Sequence, residues 1–176
     1  MIIKEYLSEK NLGVFLSERF EYSYIHNRMI KEIPNYRKKP DYRFEEIKCI
    51  VEFDGFGHYT DPIRILNDRD KDRVYKSYGY DVIRIPYFVQ LSENVVLDLF
   101  GKYIKNTSAF NDYPHGFISD DVKFPSHFCE IGLLRFLNDL EKFSYISEEI
   151  INSLRNAIEK YSKWELIIPP SLKNIL

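Results

Sequence analysis

The segment Ile47-Lys48-Cys49-Ile50-Val51-Glu52-Phe53-Asp54-Gly55 carries the fold of this chain. β-Branched and aromatic residues fill it and a glycine ends it, which is the composition of a strand and its stop. Upstream, Tyr42 and Phe44 begin a second extended segment, close enough to pair with the first as a hairpin through Glu45 and Glu46. Pro34 and Pro40 break the chain before them. Downstream, residues 63–78 are highly charged with Ile65, Leu66, Val74 and Tyr75 interspersed, and Gly79 stands where a helix cap would, so this is a helix with one wet face. Asp81-Val82-Ile83-Arg84-Ile85-Pro86 predicts another strand, stopped by proline, and Glu93 to Ile104 a further helix. Ahead of all these, Leu12, Phe15, Leu16, Arg19 and Phe20 fall at mostly helical spacings between Asn11 and Tyr24.

Helix, hairpin, helix, strand, helix predicts an α/β sandwich around a mixed central sheet over residues 1–105. After about Asn106 the character changes. A loop with Tyr113-Pro114-His115-Gly116 leads to helical stretches at about 126–143 and 147–162, the second opened by Ser147 with Glu148 and Glu149. Residues 106–176 are expected to form a helical extension packed on the core, with an extended tail around Pro169 and Pro170.

With 176 residues, 44% hydrophobic and 30% charged, the chain can bury a core and reads as globular, not disordered. Its apolar runs fall far short of the roughly 20 residues that span a bilayer, and no secretory leader opens it, so a soluble, cytoplasmic protein without a membrane partner is expected. Cys49 and Cys129 are far apart with no CxxC partner, which argues against zinc or a disulfide framework and for small core residues. No glycine-rich phosphate loop or nucleophile elbow occurs, which removes nucleotide-driven motors and serine hydrolases. His26, His115 and His127 lack any metal-like spacing.

A net charge of −2 argues mildly against nucleic-acid binding, but the cations are grouped. Arg37, Lys38 and Lys39 precede the hairpin, and Arg64, Arg69, Lys71, Arg73 and Lys76 follow it, giving either a basic rim around an acidic centre or an ordinary solvated surface.

Side chains alternate along a strand, so Glu52 and Asp54 share a face, and Asp41 at the start of the neighbouring strand can reach it. Carboxylates in so apolar a run are costly if buried unpaired, and a hard divalent cation removes that cost. Mg2+, with Mn2+ able to substitute, takes oxygen ligands, so Asp41, Glu52, Asp54 and the Phe53 carbonyl compose a plausible site. The bland alternative is an exposed face with both acids wet. Arg84, on an otherwise apolar strand, points to the active face or forms a buried salt bridge with one of the acids.

Pro40-Asp41, ten residues and then Glu52-Phe53-Asp54-Gly55 resembles the PD-(D/E)xK nuclease motif. Glu52-x-Asp54-Gly55-x-x-His58, the charged Asp68-x-x-Lys71 helix and Gly79-Tyr80-x-Val82-Ile83-Arg84 resemble, more closely, the nucleases related to very-short-patch mismatch repair endonucleases. The likeness spans about residues 40–88. It implies a restriction-endonuclease-like αβββαβ fold and a metal-dependent endonuclease that hydrolyses DNA, with Asp41 and Glu52 as the acidic pair. It also implies a glutamate on the first helix that helps hold metal, for which Glu18 is the first candidate and Glu21 the second. One departure stands out: the motif's terminal lysine is replaced by Asp54. His58 could move a proton and Lys71 could reach the phosphate, while Arg37, Lys38, Lys39, Arg64, Arg69 and Arg84 are the expected DNA contacts. The family reading implies restriction, phage defence or mismatch-type repair. A homodimer or partner subunit would serve double-strand cleavage, since one core cuts one strand at a time. The alternative is an inactive, nuclease-derived nucleic-acid-binding or interaction subunit.

Overall fold

Strand β3 (Cys49–Asp54) runs through a four-stranded sheet of order β1-β2-β3-β4. In the computed structural model, which describes residues 7–110, 117, 124–159 and 168–175, β3 pairs antiparallel with β2 (Tyr42–Phe44) and parallel with β4 (Asp81–Pro86). The outer strand β1 (Ile25–His26) pairs antiparallel with β2. The fold is thus mixed α/β around a mixed sheet.

Alternation along the strands separates two cores. Tyr42, Phe44, Cys49, Val51, Ile83 and Ile85 face the large one, shared with helix α1 (Glu9–Arg19), helix α4 (Glu93–Phe100) and the C-terminal helices. Each fully buried Phe or Leu there contributes about 1.5–3 kcal/mol relative to exposure. Ile50 faces a small core with Ile30, Ile33, Tyr75 and Tyr80, under helix α3 (Pro62–Ser77). On this side the strands also carry Arg43, Glu52, Asp54 and Arg84, so the small core is the apolar part of a largely polar layer.

Local chemistry sets the ends of α3. The Asp61 carboxylate caps its start, accepting from the amides of Ile63 at 2.9 Å and Arg64 at 3.3 Å, and Pro62 fits the first turn. Gly79, at φ +80, takes the left-handed turn beyond its end. The hairpin turn runs through Lys48 at φ +47, whose amide donates to the Glu45 carbonyl.

Helix α1 is shorter than the expected 11–24 because Phe20 is already extended and its ring stacks on Phe44 at 4.3 Å. Helix α4 likewise stops at Phe100, and the turn after it is held by Lys102 and Tyr103, which donate to Asp81. The tail expected to be extended instead forms a 3₁₀ turn at Pro170–Leu172, started by proline and anchored by buried Leu172.

Helix α5 (Glu130–Lys142) and helix α6 (Ser147–Glu159) pack into the large core, with Phe136 edge-on to Phe88 at 5.0 Å. A 3₁₀ turn at Pro125–His127 precedes α5. Helix α5 docks on the short helix α2 (Gly57–Thr60) at Gly132, where a Cβ would lie 1.7 Å from the Tyr59 carbonyl oxygen, so only glycine permits this approach. Cys49 is buried, and both cysteines are free thiols. The Tyr113-Pro114-His115-Gly116 loop lies outside the described residues. Among the described residues no helix is long and apolar enough to cross a membrane.

Candidate active site

Asp41 continues the β2 ladder by one residue: its carbonyl accepts from Asn27 and its Oδ2 accepts from the Phe53 amide at 2.8 Å. The β2-to-β3 register places it across from Glu52. Glu52 is almost fully buried, and its Oε2 accepts from Lys71 Nζ at 2.6 Å. The lysine comes from the middle of α3 and so reaches over the sheet to the acid that follows the expected metal-binding Asp41. Asp41, Glu52 and Lys71 therefore form one group.

Its electrostatics are unbalanced. Burial, then the neighbouring Asp41 charge, push the Glu52 carboxyl up to about 8 against the pull of Lys71 and Arg84. Burial also raises Asp41, opposed by the Phe53 amide and Lys71 and assisted by Glu9. Two buried polar atoms here have no hydrogen-bond partner, Glu52 Oε1 and the hydroxyl of Tyr75, whose own ionisation is suppressed by burial and by the Glu52 charge. Two acids with one lysine, and a buried carboxylate oxygen with nothing to accept from, match what a hard divalent cation requires. The donor set is all oxygen, which fits Mg2+ or Mn2+.

Asp54, expected at the metal, is engaged elsewhere. Arg84 Nη1 donates to its Oδ1 at 2.6 Å and Arg135 Nη2 to its Oδ2. Arg135 Nη1 also donates to Asp68 Oδ2 at 2.7 Å, and Arg84 Nε to Asp72 Oδ1 at 2.8 Å. His58 Nδ1 lies 2.6 Å from Asp68 and 3.3 Å from Asp54. Burial would raise Asp68, but the hydrogen bond from His58 and the charges of Arg84 and His58 hold it well below the usual carboxylate range. The ligand atoms of Asp54, His58 and Asp68 all lie within 4.8 Å of one another, close enough to hold a metal. Two guanidiniums already neutralise the two acids, and they would repel a cation there.

The remaining expected residues spread around these two groups. The Phe53 carbonyl, named as a metal ligand, accepts from Gly55 at 3.2 Å. Glu18 is on the exposed side of α1, where Leu12, Phe15 and Leu16 take the inward positions; the α1 acid whose charge reaches Asp41 is Glu9. Arg84, expected either as a DNA contact on the active face or in a buried salt bridge with one of the acids, forms the salt bridge, with Asp54 and with Asp72, because its place on β4 beside Glu52 turns it toward the acids of α3. Lys38 donates to Asn67 and Asp70, tying the basic segment to α3. Arg37, Lys39, Arg64 and Arg69 are exposed.

Arg135, Asp72 and Glu9 were not anticipated. For Asp72 a signal existed: Asp68, Lys71, Asp72 and Tyr75 recur at the spacing of one helical face, and that face is the inward one. Comparison with family models, with curated proteins and with solved structures finds no match to this chain.

Proposed function

We propose that this chain is a divalent-metal-dependent endonuclease of the restriction-endonuclease-like fold that hydrolyses DNA phosphodiesters, in restriction, phage defence or mismatch-type repair. The observation that carries the reading is Lys71 on Glu52, beside Asp41, with the second Glu52 oxygen partnerless. The motif position occupied by Asp54 lacks the lysine of the resembled family, and Lys71 supplies an ammonium to the same acid from α3.

Asp41 and Glu52 would hold Mg2+, or Mn2+ in its place. When bound, the ion lowers the pKa of a water and offsets charge that develops on the phosphate. Lys71 Nζ holds the Glu52 carboxylate in place and presents its remaining donors to an incoming water or phosphate oxygen. With Asp68 ionised, His58 Nδ1–H donates to it, which fixes the ring and leaves Nε2 to exchange a proton. Cleavage of both strands would take a homodimer, a partner subunit or two successive events.

Cleavage of supercoiled plasmid by wild type and Asp41→Asn, with Mg2+, Mn2+ or chelator, tests the reading. The asparagine keeps an acceptor for the Phe53 amide while removing the charge. Metal-dependent nicking or linearisation that falls by about 10³-fold in the variant is expected, equivalent to several kcal/mol of lost charge stabilisation. Equal cleavage by the variant would overturn the assignment. The second reading, a binding subunit without turnover, is favoured by the arginines that neutralise Asp54, and DNA binding without cleavage in any metal would select it.

A further inference from the structure

A second polar site lies on the same layer, one strand further out. Arg43 follows Asp41 by two residues, so both point to one face of β2, about 7 Å apart along the strand. Arg43 stands opposite Ile50 and is buried to 6% exposure. It lines a cavity of about 600 Å³ between β1, the start of β2 and the segment 27–39 that folds over them. Ile30 and Ile33 pin that segment into the small core, and its turns pass through Asn27 and Asn35 at positive φ.

The charges in this cavity are mostly of one sign. Arg28, Lys31, Lys39 and Arg43 line it, against the carboxylates of Glu32 and Glu45. Glu45 is already satisfied: the Tyr80 hydroxyl is shared between its oxygens at 2.7 and 2.9 Å, and Lys48 donates to it at 3.0 Å. Arg43 Nε lies 3.0 Å from Glu45, an ion-pair distance, yet neither Nε nor Nη1 makes a hydrogen bond. A buried guanidinium with unfilled donors costs free energy unless something accepts from them. A carboxylate that already receives Lys48 and Tyr80 leaves these two donors unfilled. A buried guanidinium at the back of a cavity rimmed by exposed cations matches the charge of a phosphate group.

We propose that the Arg43 cavity binds a phosphate group, and that its source is the nucleic-acid backbone on the β1 side of the cleavage site. The choice of source rests on the nuclease reading, because the same sheet face leads from Arg43 to Asp41. Arg28 and Lys39 add charge at the rim, and Arg43 orients the phosphate at the back.

The test is binding of a fluorescently labelled DNA duplex lacking terminal phosphates, followed by anisotropy in chelator over a range of salt, with inorganic phosphate titrated separately. Arg28→Gln with Lys39→Gln changes exposed side chains and leaves the cores intact; Arg43→Gln tests the buried guanidinium, with circular dichroism to check folding. The double variant should bind duplex at least tenfold more weakly and lower the slope of log affinity against log salt by about 2. Arg43→Gln should weaken binding in the same direction. Unchanged affinity and slope in the folded double variant would overturn the proposal. Loss of inorganic phosphate binding with duplex binding unchanged would keep a phosphate site and overturn the backbone as its source. Because no step needs turnover, a protein that binds through this cavity but never cleaves refutes only the nuclease reading. One that cleaves with unchanged binding in the double variant refutes only the cavity.

Discussion

Glu52 and Asp54 lie two residues apart on one strand and one face, yet their surroundings are opposite. Asp54 and Asp68 meet Arg84, Arg135 and His58. Glu52 and Asp41 meet one lysine, and an oxygen of Glu52 is left without a donor. Burial alone therefore does not decide how far an acid is compensated; the count of counter-charges does. Where the protein supplies every cation itself, the cluster ties α3, α5 and β3 together. Where it withholds one, the charge count leaves room for the cation from solution that the proposed function requires.

The strongest test of this contrast is stability. Arg135→Ala leaves Asp54 and Asp68 short of a partner and should cost about 3–5 kcal/mol in urea denaturation, the usual penalty for breaking a buried pair. Glu52→Gln, measured in chelator, should stay within about 1 kcal/mol of wild type, because the charge it removes is poorly compensated. Equal losses in the two variants would break the contrast. Activity gives the next effect: Lys71→Ala should lower plasmid cleavage by about 10²–10³-fold, the range seen when one donor to developing charge is deleted. An unchanged rate would return Lys71 to a purely structural pairing.

The two groups also respond to pH in opposite senses. Glu52, raised from 4.5 to about 8, favours the fold fully below about 4.5, and that contribution is lost as pH rises through about 8. Asp68, held below its ordinary 3.8, contributes above that value and loses its contribution as pH falls below it. In chelator, wild type should lose more thermal stability between about pH 5 and pH 8 than Glu52→Gln does. Mn2+ at 100 times its pH 8 Kd should restore about 2.7 kcal/mol at pH 8 and less at pH 5, where Glu52 is protonated. Equal Mn2+ stabilisation of wild type and Glu52→Gln by thermal melting would place the ion elsewhere. The smallest effect concerns the helix that serves both groups. Asp61→Ala removes the cap of α3 and should cost about 1 kcal/mol in the same melts.

The middle of the chain was legible because its signals are local. β-Branched and aromatic composition marks β3 and β4, while Gly79 and Pro86 mark where the elements beside them stop. β1 is two residues long, too short to show any period, and α1 stops early because Phe20 is drawn to a ring on β2. That Asp41 and Glu52 could share a face was readable from strand alternation, whereas Lys71 was a candidate beside the alternative of a surface lysine and its contact with Glu52 comes from the fold. A salt bridge from Arg84 to one of the acids was one of the readings left open, but the share of Arg135 in neutralising Asp54 was not legible, because Arg135 stands 81 residues away in sequence. Glu18 was chosen on its helix, but the helical phase that buries Leu12, Phe15 and Leu16 leaves it on the wet side.

The glycine contact between α5 and Tyr59 has a consequence for how the chain is made. The acids of β3 and α3 leave the ribosome well before Arg135, and Gly132 is the residue that lets Arg135 arrive. Of the partners that meet Asp54 and Asp68 in the fold, Arg84 and His58 precede Arg135 in the chain. The charge network of β3 and α3 is therefore complete only once α5 has been synthesised.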